Sequence, residues 1–99
     1  MEFKTVTAII PDLSLEKVEK ELMKIGVPDL YISTVHGYGN YKNYFKKDCM
    51  EDCIRLEIFC KADVAKEIAT TIQSAIHIGL KSDGFIAIKP VDEFINISK

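Results

Sequence analysis

The sequence predicts an α+β sandwich in which an antiparallel sheet carries two helices on one face. Four short runs are rich in β-branched residues and alternate in polarity. Two longer runs repeat apolar residues at spacings of three and four. The runs follow one another as strand, helix, strand, strand, helix, strand, the ferredoxin-like βαββαβ order. With 99 residues the chain makes one domain, residues 1–99, and has no room for a second core.

Taken in order, KTVTAII (4–10) is the first strand, and Pro11 and Asp12 end it because proline cannot donate to a sheet ladder. Ser14 is placed to cap the first helix through its hydroxyl. Leu15, Val18, Leu22 and Ile25 form that helix's buried stripe, and Gly26 stops it. LYISTVHGY (30–38) is the second strand by composition, and residues 39–53, without clear periodicity, form a loop. IRLEIFC (54–60) alternates: Ile54, Leu56, Ile58 and Cys60 share one face, Arg55, Glu57 and Phe59 the other. Residues 62–79 are the second helix, with Val64, Ile68, Ile72 and Ile76 or Ala75 as its stripe and Gly79 as its stop. FIAIKPV (85–91) is the fourth strand, and EFINI (93–97) a short last strand or edge piece. Val6, Ile9 or Ile10, Phe59, and Ile86 or Ile88 put apolar groups on both faces of the sheet, and an uncovered apolar face is best hidden by another subunit.

Composition removes several classes of function. Charged residues at 28 % and apolar residues at 47 % fit a folded soluble domain rather than a disordered chain. A net charge of −2 argues against broad binding to a phosphate backbone, and the aromatic string His36-Gly37-Tyr38-Gly39 ends the second strand rather than lying on the third, where RNA-recognition domains carry theirs; no nucleic acid is expected as partner. No apolar run approaches the roughly 18 residues of a membrane span and no signal-peptide pattern opens the chain, so a cytoplasmic protein without membrane insertion is expected. Three cysteines are an odd number and do not make a secreted disulfide framework; Cys60 ends an apolar strand pattern and reads as core. No nucleophile–base–acid order, paired carboxylates or G-x-x-x-x-G-K loop occurs, and no enzyme activity is expected.

The least ordinary stretch is HGYGNYKNYFKKDCMEDC (36–53), with three tyrosines, three lysines and two cysteines. Tyr41, Tyr44, Phe45 and Lys46 are of the kind that docks onto a protein partner, since tyrosine buries much area at low entropy cost and keeps a polar tip. Cys49 and Cys53 leave an alternative open: a reversible disulfide, or a metal site completed by His36, Asp48 or Glu51, although their spacing is looser than that of zinc ribbons and no second such pair exists.

TAIIPDLSLEKVEKEL (7–22), STVHGYG (33–39), IRLEIFC (54–60) and SDGFIAI (82–88) together resemble the PII signalling family, the trimeric ferredoxin-like nitrogen regulators, over nearly the whole chain. The resemblance implies a homotrimer with adenine-nucleotide clefts between subunits, and a T-loop, here shortened to about residues 39–53, that gates a partner such as a membrane transporter or a metabolic enzyme. It places Gly37, Tyr38 and Gly39 at the loop base, Asp83 and Gly84 in the turn that approaches the phosphates, and Glu57 and Phe59 near the adenine side of the cleft. Glycines suit such places because backbone amides can then come close to an anion. The chain departs from the family at Phe85, where a lysine grips phosphate, at Asn96 and Ser98, where arginines do, and at Asn40 and Tyr41, which replace the arginine and the magnesium–2-oxoglutarate glutamine. Most charge-assisted contacts to a triphosphate are thereby lost. The expected effector shifts from ATP with 2-oxoglutarate toward ADP, AMP, another small effector or no nucleotide at all. The alternative is a metal- or redox-responsive trimeric module using Cys49 and Cys53.

Overall fold

The computed structural model describes residues 2–37, 51–76 and 84–98. Strands β1 (Phe3–Pro11), β2 (Tyr31–Gly37), β3 (Glu51–Lys61) and β4 (Phe85–Val91) form one antiparallel sheet in the order β2-β3-β1-β4. Helices α1 (Leu15–Lys24) and α2 (Ala65–Ile76) pack side by side on one of its faces. β1 and β2 are thus separated by β3, the strand order of a ferredoxin-like sandwich.

Alternation in the strands decides which face the helices cover. The register pairs Val6 with Ile58, Ala8 with Leu56 and Ile10 with Ile54, so these side chains share one face. All of them are buried, together with Cys60, against Val18 and Leu22 of α1 and Ala65, Ile68, Ala69 and Ile72 of α2. The small residues Ala65 and Ala69 let α2 sit close to the sheet. Ile86 of β4 packs at the border of this core. The expected apolar second face is also there: Phe59 and Ile9 lie on the side without helices.

Both helices begin in the same way, and differently from expectation. A single turn of 3-10 helix, Asp12–Ser14 before α1 and Ala62–Val64 before α2, leads out of the preceding strand. Ser14 therefore has φ −90° and ψ −10°, already helical, and its hydroxyl makes no capping bond; a capping side chain needs extended backbone at that residue. Val64 belongs to the corresponding turn and is exposed, so the buried stripe of α2 starts at Ala65 instead. The α1 stop is as expected. Gly26 has φ +81°, its N–H donates to the Met23 carbonyl at 3.1 Å, and the Val27 N–H donates to the Leu22 carbonyl at 3.1 Å, the paired bonds of a Schellman turn.

Two boundaries move. Glu51, Asp52 and Cys53, read as loop because they are polar, continue β3, while β2 is Tyr31–Gly37. Residues 93–97 form no strand: after Val91 the chain is irregular. Residues 77–79, the expected last turn of the second helix, lie outside the described residues, as does the Gly79 stop.

Cys60 is a core residue, as its strand pattern implies. Its thiol is buried and lies 3.7 Å from the Lys4 carbonyl oxygen, to which it can donate. Burial pushes its pKa up, Asp63 adds to this, and Lys4 opposes it. Only the thiolate attacks alkylating agents. In the folded protein Cys60 is expected to react with iodoacetamide on the order of 100-fold more slowly than an open thiol, because reaction waits for local opening. Peptide mass mapping before and after denaturant checks this, and rapid labelling of the native protein would show that the end of β3 opens readily.

Candidate functional site

The helix-free face of the sheet runs from the end where β2 and β3 meet the intervening segment, the loop end, to the opposite end, the foot. Across it the register aligns Val35 with Cys53 and Pro11, then Ser33 with Arg55, Ile9 and Phe85, then Tyr31 with Glu57, Thr7 and Ala87. Phe59, Thr5 and Lys89 follow, and Phe3 and Val91 lie at the foot. The loop end is thus largely apolar, the middle polar, and the foot aromatic.

In the polar middle, Arg55 Nε donates to Ser33 Oγ at 3.2 Å and lies 3.5 Å from Glu57 Oε1. The pair is solvent-accessible and contributes little to stability, about 0.2–1 kcal/mol. Thr5 and Thr7 are buried on the central strand although no helix covers them, and the Thr7 hydroxyl has no hydrogen-bond partner among the described residues. Burying a hydroxyl in that way is unfavourable by about 1–3 kcal/mol.

At the foot, Phe94, from the segment after β4, folds back over the face. Its ring stacks on Phe3 with centroids 4.3 Å apart and planes 5° from parallel, and lies 6.3 Å from the ring of Phe59. Tyr31 meets Phe59 edge-on at 6.4 Å. The four rings form a continuous aromatic row.

Gly37 is the last residue of β2, paired with Glu51, and Gly84 precedes β4, where Phe85 pairs with Ile9. Both lie at the loop end of the sheet, but on its opposite edges. Three inter-strand spacings separate those edges, about 14 Å, so no single small group touches both within one chain. Gly84 has φ +106°, and a Cβ there would fall onto the Ile9 carbonyl oxygen. Phe85 beside it is 62 % exposed. Glu57 sits in the middle of the open face and Phe59 in the aromatic row, so the chain by itself does not gather the expected site residues. Tyr38, Gly39, Asn40, Tyr41, Tyr44, Phe45, Lys46, Cys49 and Asp83 lie outside the described residues; Cys53 is half-buried in β3, between Val35 and Pro11. Among the described residues no three histidine, cysteine or acidic side chains come together as a metal site, and no helix is long and apolar enough to cross a membrane.

Sequence reasoning passed over Tyr31, Ser33, Arg55 and Phe94. Arg55 was visible only as an outward position of an alternating strand, and its tie to Ser33 depends on the β2–β3 register. Phe94 gave no signal, because the ring it stacks on is 91 positions away in the chain.

The description nitrogen regulatory protein P-II belongs to the sequence family that matches residues 3–99. Among similar proteins, nitrogen regulatory protein GlnK2 of Haloferax mediterranei is 30 % identical over 101 residues, covering 95 % of this chain and 82 % of its own. Nitrogen regulatory protein P-II of Azospirillum brasilense is 26 % identical over 101 residues, 95 % of this chain and 90 % of its own. Among solved structures, that of Arabidopsis thaliana PII bound to citrate superimposes with a TM-score of 0.83 at 28 % identity, covering 97 % of this chain and 83 % of its own.

Proposed function

The chain belongs to the nitrogen regulatory protein P-II family, and from that premise we propose that it is a homotrimeric, cytoplasmic, non-enzymatic regulator that senses a small effector in clefts between its subunits. The observation that carries this reading is the placement of Gly37 and Gly84 at the same end of the sheet on opposite edges. A second copy set beside one edge brings the β2 end of one chain next to the β4 end of another. A site split in this way responds to its ligand by changing how copies sit together, which a regulator needs and a simple carrier does not.

The effector is an adenine nucleotide with few phosphates, ADP or AMP. Phe85 supports this choice: at the entry to β4 an exposed aromatic ring stands where a cation would serve a phosphate chain. Glu57, Tyr38 and Phe59 complete the effector's surroundings, with Gly39 and Asp83 flanking the backbone turns. The segment 39–53, with Tyr41, Tyr44, Phe45 and Lys46, docks onto the target, a membrane transporter or a metabolic enzyme. Effector binding gates that target only if the ligand binds the two loop states with different affinity.

Calorimetric titration with ATP, ADP, AMP and citrate tests the reading. Citrate is included because the Arabidopsis relative was solved with it. Binding of ADP or AMP in the micromolar range, about −8 kcal/mol, is expected. Absence of binding by every adenine nucleotide at millimolar concentration would remove the sensor reading.

A further inference from the structure

We infer that Arg55 is a binding site for a phosphate-class oxyanion on the helix-free face, and that Glu57, its present counter-ion, makes way for the anion by turning onto the Thr7 hydroxyl. Arg55 Nε donates to Ser33 Oγ at 3.2 Å and lies 3.5 Å from Glu57 Oε1. Among the described residues Arg55 makes no other polar contact, so both terminal nitrogens of its guanidinium are open. A guanidinium presents its donors in a planar fork that matches two oxygens of one anion. Steadied through Nε, Arg55 keeps the outer part of that fork for a ligand.

Thr7 supplies the second seat for Glu57. The two are partners in the β1–β3 register and share the helix-free face, with Cβ atoms about 5 Å apart. The Thr7 hydroxyl is buried and without a hydrogen-bond partner among the described residues. An unpartnered buried hydroxyl is unfavourable, and a carboxylate that accepts from it removes the penalty. Glu57 holds Arg55 only loosely, through a solvent-accessible pair at 3.5 Å. When an anion arrives, Arg55 exchanges one oxyanion for another and Thr7 gains the acceptor it lacks. The counter-ion is thus displaced without being left unpaired.

Arg55 also stands at the right level of the sheet. It shares its row with Ile9 and Phe85, next to the Gly84 end of β4. The other cations on the described part of this face, Lys61 and Lys89, lie toward the foot. Arg55 therefore supplies the charge that the exposed Phe85 ring does not. Only the identity of the anion, the phosphate end of the effector, rests on the proposed function; the seat for an oxyanion does not.

The test is calorimetry of ADP, adenosine and inorganic pyrophosphate with the unaltered chain, Thr7→Val, Arg55→Gln and the double variant, beside urea unfolding of the ligand-free proteins. Thr7→Val keeps the shape of the side chain and removes the hydroxyl. It is expected to raise the urea midpoint, to weaken ADP and pyrophosphate by about 10-fold, and to leave adenosine unchanged. A threonine with a merely structural role would instead lower the midpoint. Arg55→Gln is expected to weaken both anions by about 30-fold, and the double variant by no more than that, because Thr7 acts only through the release of Glu57 from Arg55. Weakening by Arg55→Gln alone would overturn the movement of Glu57. Anion binding that neither variant changes would overturn the Arg55 site and leave the nucleotide sensor standing. Pyrophosphate binding with the expected pattern, but no binding of ADP or adenosine, would uphold the site and overturn the sensor. No binding of either anion by the unaltered chain would overturn both.

Discussion

Replacing Gly84 by alanine is expected to destabilise the fold by about 3–5 kcal/mol, a large part of the total for a small domain. Two costs coincide at this position. The φ of +106° lies where residues with a Cβ are strained, and the added carbon would overlap the carbonyl oxygen and carbon of Ile9. Relief requires β1 and β4 to separate where Ile9 pairs with Phe85, which breaks the ladder at its loop end. Gly26 provides the control. It also has positive φ, +81°, but an added Cβ there meets nothing within 4 Å, so Gly26→Ala is expected to cost only about 1 kcal/mol. Urea unfolding of both variants measures the difference. Equal costs would mean that the close approach to Ile9 is not what requires glycine at position 84.

Gly84 also shows what the sequence could and could not convey. As part of SDGFIAI it reads as a glycine that lets backbone reach a phosphate, and the structure supplies a second reason, inside the chain and independent of any ligand. A glycine says that space or an unusual φ is needed; it does not say which neighbour needs it. Patterns whose cause is local were legible. Ile54, Leu56, Ile58 and Cys60 alternate because one face of β3 is buried, and Gly26 ends α1 because the last carbonyls need a left-handed residue after them.

What failed to show in the sequence depends on neighbours distant along the chain or on backbone detail. Ser14 is a good capping residue by type, but a 3-10 turn put it in helical backbone, where its side chain cannot cap. EFINI has the period of a strand, yet a period cannot supply a partner edge. Glu51, Asp52 and Cys53 hid the start of β3 because polar residues without apolar alternation carry no strand period. The candidate site was the least legible part. The chain by itself does not gather its residues, and the spacing of Gly37 and Gly84 along the chain carries nothing of their separation on opposite edges of the sheet.

Changing Phe85 to lysine is expected to raise the affinity for ATP relative to AMP by about 10–100-fold. The ring is mostly exposed at the entry to β4, so the substitution removes little packing and the fold tolerates it. The ammonium group would stand beside Gly84, at the loop end of the β4 edge, where the proposed cleft receives the phosphate end of the effector. A charge-assisted hydrogen bond to a phosphate oxygen contributes about 1.5–3 kcal/mol, and AMP, with its single phosphate, gains less from it than ATP. Phe85→Leu separates the loss of an aromatic ring from the gain of a cation: it is expected to leave the ATP-to-AMP ratio unchanged. Salt gives a third check, because a contact made by an exposed cation weakens as ionic strength rises. If Phe85→Lys binds both nucleotides as the unaltered protein does, the phosphates lie away from β4, and the effector enters the inter-subunit cleft in another orientation.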